Sequence, residues 1–197
     1  MDFGEKLVAY DKMIGDWNRL LSLVARGDVT SLWERHILDS LSLVEWIVRL
    51  KGGECHLLDI GSGGGFPAVP VKLALPGLRL TMVERSARKV VFLRKVIAAL
   101  KLGWTEVVQG EFPRAVAGVA PDAVTARAVE KPRRVVMHLV EFLPVGSVFL
   151  CQLSDPNAFE EGGFHVEPVK DVWSEKGWRR GRLFVVTRRA ARARVSD

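Results

Sequence analysis

Apolar residues recur at three- and four-residue spacing from residue 3 to about residue 26: Leu7, Val8, Tyr10, Met13, Ile14, Trp17, Leu20, Leu21 and Val24. That period predicts an amphipathic helix, and Gly27-Asp28 supplies a stop signal. A second stripe of Leu32, Ile37, Leu38, Leu41, Val44, Ile47 and Val48 predicts a helix over about 32–50. Thr30 or Ser31 is placed to cap it, with Glu34 close behind as a capping partner. Beyond Gly53 the period changes. Short apolar runs predict strands at 55–60, 79–83, 105–108, 122–125 and 147–153. Helical stretches fall between them at 67–75, 87–100, 112–118 and 131–142. Two further strands, 164–169 and 182–187, flank a charged hairpin-like loop at 175–180.

Alternating strands and helices imply a largely parallel, twisted sheet with helices on both faces. The two late strands, with little helix between them, predict an antiparallel edge. The fold class is therefore α/β, in the layout of the Rossmann-like class I methyltransferases that use S-adenosylmethionine (SAM), preceded by two N-terminal helices. Residues 1–53 read as a helical extension packed on the core, 54–190 as the SAM-binding domain and 191–197 as a basic tail.

Composition narrows this further. A chain of 197 residues suits one domain with a modest appendage, and 48% hydrophobic residues are ample for its core. No apolar run approaches the ~20 residues of a membrane span. The opening Met1-Asp2-Phe3-Gly4-Glu5-Lys6 alternates charge and is unlike a signal peptide. Cys55 and Cys151 sit in apolar runs, as buried free thiols in a reducing cytosol would. No cysteine–histidine cluster has zinc spacing, so no metal site is expected. The net charge is +6, with arginines crowded near the end at 179, 180, 182, 188, 189, 192 and 194. Such a surface attracts phosphate without reading base sequence.

The chemistry centres on Leu57-Leu58-Asp59-Ile60-Gly61-Ser62-Gly63-Gly64-Gly65-Phe66-Pro67. An apolar strand ends in an acid, four of the next five residues are glycine, and a proline opens the following helix. Strand, glycine turn and helix form a nucleotide-binding unit with its ligand at the strand's carboxyl end. The dinucleotide fingerprint G-x-G-x-x-G wants a third glycine where this chain has Phe66. That argues against a nicotinamide-dependent oxidoreductase. A phosphate loop is excluded by the missing Gly-Lys-Ser/Thr. SAM, which has no pyrophosphate, fits a turn carrying Gly61 and Gly63. Glu84 ends the second strand about twenty residues on, where a carboxylate meets ribose hydroxyls. Asp59 is a strand-end acid that can orient the glycine loop or sit near the sulfonium.

Four blocks then carry a resemblance. They are Arg35-His36-Ile37-Leu38-Asp39-Ser40-Leu41; Leu58 through Pro67; Val83-Glu84 with Arg88-Lys89 and Phe92-Leu93-Arg94; and Arg127-Ala128-Val129. Together they resemble the glucose-inhibited division protein B family. Its members are bacterial SAM-dependent methyltransferases acting on the N7 of a guanine in small-subunit (16S) ribosomal RNA. The resemblance implies that Gly61 and Phe66 line the SAM site and that Phe112-Pro113 covers the adenine. It also implies that Arg127 is catalytic, touching SAM or the target guanine. His36 and Asp39, on a helix beside the glycine turn, are expected to be structural. The chain departs from the family at Ser22-Leu23-Val24, Ala68, Glu111, Pro113, Gln152 and Leu153. The cofactor turn is thus retained more fully than the polar positions around the target.

Guanine N7 is an unprotonated lone pair, so methylating it needs alignment rather than a general base. Reaching a base edge in folded RNA requires an unstacked nucleotide, for which Trp104, Trp173 and Trp178 are stacking candidates. Arg35, Arg179, Arg180, Arg182 and Arg188 are the expected phosphate contacts. The implied partner is ribosomal RNA or the small ribosomal subunit, with no membrane, and the protein is expected to be a cytoplasmic monomer. Two alternatives stand beside this one. The chain could be a non-catalytic RNA-binding or ribosome-assembly factor on a decayed methyltransferase fold. It could also be a divergent methyltransferase with another substrate.

Overall fold

The computed structural model describes residues 1–127, 132–152, 157–179 and 182–188. The chain opens with α1 (Phe3–Leu21), capped by Asp2 and Glu5 in a reciprocal capping box. It ends five residues earlier than its apolar stripe predicts. Ser22 turns left-handed, and the Asn18 side chain accepts a hydrogen bond from the Val24 N–H at 2.9 Å, so the chain bends away.

The second predicted helix is present over 33–51, interrupted by a π turn and a break at 42–43. A 3₁₀ turn (Arg26–Ser31) leads into a π turn (Trp33–Ile37), then α2 (Leu38–Leu41) and α3 (Val44–Lys51). Thr30 and Ser31 lie inside the 3₁₀ turn, and no side-chain cap forms at Leu32. The breaks have a chemical cause. The Ser40 hydroxyl donates to the His36 carbonyl at 2.5 Å and the Ser42 hydroxyl to the Asp39 carbonyl at 2.6 Å. Such back-bonding offers the backbone carbonyl an alternative to the helical ladder.

The sheet follows: β1 (His56–Ile60), β2 (Arg79–Glu84), β3 (Thr105–Gln109), β4 (Ala123–Ala126), β5 (Val148–Gln152), β6 (Phe164–Pro168) and β7 (Leu183–Arg188). Between them lie α4 (Ala68–Ala74), α5 (Ala87–Leu100), α6 (Pro132–Phe142), α7 (Asn157–Glu161) and the one-turn α8 (Val172–Glu175). The strand order is β3-β2-β1-β4-β5-β7-β6. β1 to β5 are parallel, and β7 runs antiparallel between β5 and β6. The short helix predicted after β3 is only a 3₁₀ turn, Arg114–Val116.

Alternation along each strand feeds two cores. Leu57, Leu80, Met82 and Leu150 pack with Tyr10, Ile14, Phe92 and Leu93 of α1 and α5 on one face. Leu58, Val124, Phe149 and Phe184 pack with Leu139 and Phe159 of α6 and α7 on the other. Both cysteines are buried free thiols. Among the described residues no helix is long and apolar enough to cross a membrane.

Register does the positioning. Ile60 at the end of β1 pairs with Val83 on one side and Ala126 on the other. The chain reverses its direction of travel across the sheet between β1 and β4. That is the switch point where ligands of open α/β sheets bind. The next residue along each of these three strands is therefore Gly61, Glu84 or Arg127.

Candidate cofactor-binding and target site

The glycine turn is held from below and from the side. Gly61 and Ser62 donate their N–H groups to the Val83 carbonyl at 2.9 and 3.1 Å, stitching the turn onto β2. Gly61, Gly63 and Gly65 have φ of 71°, 56° and 96°, a region that side chains with a Cβ avoid. Glu84 accepts from the Gly63 N–H at 2.9 Å with one oxygen and from the Ser86 N–H at 2.8 Å with the other. The acid expected at the ribose thus also shapes the loop that faces it.

A contact from α1 completes the cradle. The chain's single tyrosine, Tyr10, donates to the Gly64 carbonyl at 2.6 Å. Its ring packs on Phe66 with centroids 5.2 Å apart. Burial raises the Tyr10 pKa, so the phenol stays a proton donor. Phe66 also touches the His36 ring at 5.1 Å, and the Arg127 guanidinium lies 5.8 Å from its centroid. Sequence reasoning reached Phe66 but not Tyr10. A tyrosine in a helical stripe carries no signal that it will reach across 54 positions to a glycine.

Asp59 is 1% exposed. Its Oδ1 accepts from the Thr125 hydroxyl at 2.7 Å, while its Oδ2 is buried with no hydrogen-bond partner among the described residues. Burial pushes its pKa up to about 6, against the pull of the Ser62 and Thr125 hydroxyls and of Arg127. The folded chain holds this proton more tightly than the unfolded chain, so stability falls as pH rises from about 4 to about 6. Above that range the buried charge costs on the order of 2–3 kcal/mol. Asp59→Asn is therefore expected to unfold at higher urea than wild type at pH 8, with the gap closing by pH 4. Parallel urea titrations at both pH values check this, and an equal or lower midpoint at pH 8 refutes it.

On the other side of the turn, Arg127 Nη2 lies 3.5 Å from Asp39 Oδ2, and Gln152 donates to Asp39 Oδ1 at 2.8 Å. Arg127 is partly exposed, yet its Nη1 is buried without a partner among the described residues. Asp39, Pro67, Arg127, Leu150, Gln152 and Leu183 line a cavity of about 10 Å³, room for about one water. Asp39 thus belongs to the site wall rather than only to helix packing. His36 bonds Asp28 at 3.0 Å. Burial and Arg127 lower the His36 pKa, which favours the neutral ring at pH 7. Phe112 lies past the end of β3 with its ring edge-on to Phe142 at 4.8 Å. Pro113 follows it, and Gly110 is bonded to the Glu84 carbonyl at 3.1 Å.

The expected phosphate contacts do not form one patch. Arg179 is 5% exposed and ion-paired with Asp171, so its role as a phosphate contact is corrected: its charge already has a buried partner. Arg35 pairs with Asp28. Arg182 is exposed just before β7, at the carboxyl end of the sheet, while Arg188 is exposed at the far end of the same strand. Those ends are roughly 17–20 Å apart at ~3.3 Å per residue. Trp104 precedes β3 and so lies at the sheet end opposite the glycine turn, which removes it as a stacking candidate there. Arg180 and the tail from residue 189 lie outside the described residues.

The family described as GidB, rRNA small subunit methyltransferase G, matches residues 4–155. The chain belongs to this family. Among curated relatives, the ribosomal RNA small subunit methyltransferase G of Alkaliphilus oremlandii (strain OhILAs) is 32% identical over 162 residues, covering 79% of this chain and 66% of the relative. That of Sorangium cellulosum (strain So ce56) is 39% identical over 139 residues, covering 68% and 58%. The chain thus spans somewhat under two thirds of the length of the curated relatives it matches. The precorrin-6y C5,15-methyltransferase of Geobacter metallireducens GS-15 shares the fold at a TM-score of 0.56 and 15% identity, covering 74% of this chain and 85% of that one. The family match runs from α1 through β5 and includes every residue of the glycine cradle. It stops before β6, so the β6–β7 connection lies beyond it.

Proposed function

We propose that this chain is a SAM-dependent methyltransferase that modifies the N7 of a guanine in small-subunit ribosomal RNA. The observation that carries this is Asp59 Oδ2, which has no hydrogen-bond partner among the described residues and is buried under a glycine turn at the switch point of the sheet. A Cβ built on Gly61 meets nothing within 4 Å, so open space lies against the turn. A cationic donor suits a buried carboxylate better than a pyrophosphate does. The residues present therefore fit SAM.

In this reading Gly61, Gly63 and Phe66 receive the donor against the backbone, Glu84 faces its ribose, and Phe112-Pro113 covers its adenine. SAM supplies an electrophilic methyl group on a sulfonium. The chain's residues supply position. Asp39, itself bonded by Gln152, holds Arg127 beside the cavity, where its Nη1 has no hydrogen-bond partner among the described residues. No proton leaves guanine N7, so the site needs no general base, and neutral His36, tied to Asp28, takes no part in proton transfer. Ribosomal RNA is the partner, and Arg182, exposed at the carboxyl end of the sheet, is placed to meet its backbone.

The test is transfer of labelled methyl from SAM to small-subunit RNA that lacks the modification, followed by mapping of the labelled base. Label at a guanine N7 is expected, and absence of label in any RNA overturns the proposal. Arg127→Ala is expected to lower transfer about 100-fold, the scale of losing one preorganised charged donor. Arg127→Lys should recover only part of that, because it lacks the planar fork.

A further inference from the structure

The connection between β6 and β7 crosses the carboxyl edge of the sheet. β6 ends at Pro168, which pairs with Phe184, and β7 starts at Leu183, which pairs with Gln152. Leu183 and Gln152 both line the cavity beside Arg127. The connection is closed at its neck by Val169 N–H to the Leu183 carbonyl at 2.8 Å. The Trp178 and Arg179 N–H groups donate to the Trp173 carbonyl at 2.9 and 3.1 Å.

One buried carboxylate fastens it to the N-terminal helices. Asp171 accepts from Trp46 Nε1 at 2.7 Å and is ion-paired with Arg179, whose Nε donates to the Ser42 hydroxyl at 2.9 Å. Ser42 precedes Leu43, another residue of the cavity wall. Two independent ties thus place this connection on the rim of the site. What it presents outward is aromatic and basic. Trp178 is 48% exposed and Val172 46%. Trp173 meets Trp178 edge-to-face, with centroids 5.7 Å apart and planes at 72°. Such a pair occupies at most one face of either ring. Lys170, Lys176 and Arg182 are exposed in the same connection, against one exposed carboxylate, Glu175, among its described residues.

We propose that Trp178, braced by Trp173, is a stacking platform for an unpaired nucleobase of the RNA at the mouth of the methyl-transfer site. The platform deepens the RNA reading above and rests on it. A preordered indole on a connection rich in exposed cations is what single-stranded nucleic acid recognition uses: base on ring, phosphate on ammonium or guanidinium. It also supplies what Arg188 and Trp104, at the other end of the sheet, and buried Arg179 cannot.

The experiment compares full-length wild type with Trp178→Ala, Trp178→Phe and Trp178→Leu. Fluorescence anisotropy measures binding to single-stranded RNA oligonucleotides from the small-subunit sequence, and calorimetry measures SAM. Loss of stacking on one base corresponds to about 5- to 150-fold weaker binding. Trp178→Ala should fall in that range for RNA with unchanged SAM affinity, Trp178→Phe should recover most of the loss, and Trp178→Leu should not. Wild-type RNA affinity in Trp178→Ala, full recovery by leucine, or parallel loss of SAM binding overturns the platform. A wild-type chain that binds SAM but no RNA overturns the RNA reading itself, and the platform with it.

Discussion

Gly65→Ala is expected to abolish measurable SAM binding and to destabilise the chain by roughly 2–5 kcal/mol. Two effects add. Gly65 has φ of +96°, where a Cβ meets its own carbonyl. That Cβ would also stand 2.7 Å from Val69 Cγ2, 3.0 Å from the Tyr10 hydroxyl and 3.3 Å from Leu93 Cδ2. None of these can yield cheaply. Val69 is buried on α4, Leu93 is buried on α5, and Tyr10 is fixed by its bond to Gly64. The turn must shift, and the Gly63 N–H leaves Glu84 with it. Urea unfolding and calorimetric titration with SAM measure the two losses. Gly15→Ala, in α1, where an added Cβ meets nothing within 4 Å, should instead leave SAM affinity unchanged and gain up to about 1 kcal/mol. A Gly65→Ala protein that binds SAM like wild type would refute this account of the cradle.

Asp171→Ala is expected to cost about 3–5 kcal/mol, because it strands a buried guanidinium. The Arg179 side chain is 0% exposed and that of Asp171 6%, and Arg179 Nη1 already lacks a partner among the described residues. Removing both charges together, in Asp171→Ala/Arg179→Met, should recover most of the loss, since the penalty belongs to the unpaired ion and not to the missing bond. Urea midpoints of the two variants measure this. Equal midpoints for the single and double variants would show that the charge was not the cause. Burial pushes the Asp171 carboxyl up, but the bonds from Arg179 and Trp46 outweigh it and set it below its ordinary value. The stability it contributes is therefore present at neutral pH and is lost as pH falls through the acid range below about 4. The Asp171→Ala protein should lack that part of the acid limb.

The parallel sheet and its antiparallel edge were legible because strand and helix have different apolar periods, and these strands are bounded by Gly, Pro and charge. The glycine turn was legible because its run of positive φ angles strongly favours glycine. The second N-terminal helix lies where its stripe predicts, but as a π turn and two short α segments rather than one continuous helix. Its apolar stripe is real, but Ser40 and Ser42 divert carbonyls from the ladder, which periodicity does not register. Arg179 and Arg188 were grouped with Arg182 because they are close in sequence. One is buried on Asp171 and another lies a strand length away. Charge counted along a chain says nothing about which side chains fold inward.

The linear order of residues by itself determined the α/β class, the strand–turn–helix unit and the acids at two strand ends, because each is a local pattern with its own physical cause. Only the tertiary structure decided that Tyr10 closes the glycine turn, that Asp39 and Gln152 hold Arg127, and that Asp171 locks the rim. The Tyr10–Gly64, Asp39–Gln152 and Trp46–Asp171 contacts join residues 54, 113 and 125 positions apart. No local propensity encodes which partner a distant side chain will meet, because strand register and helix packing settle that together.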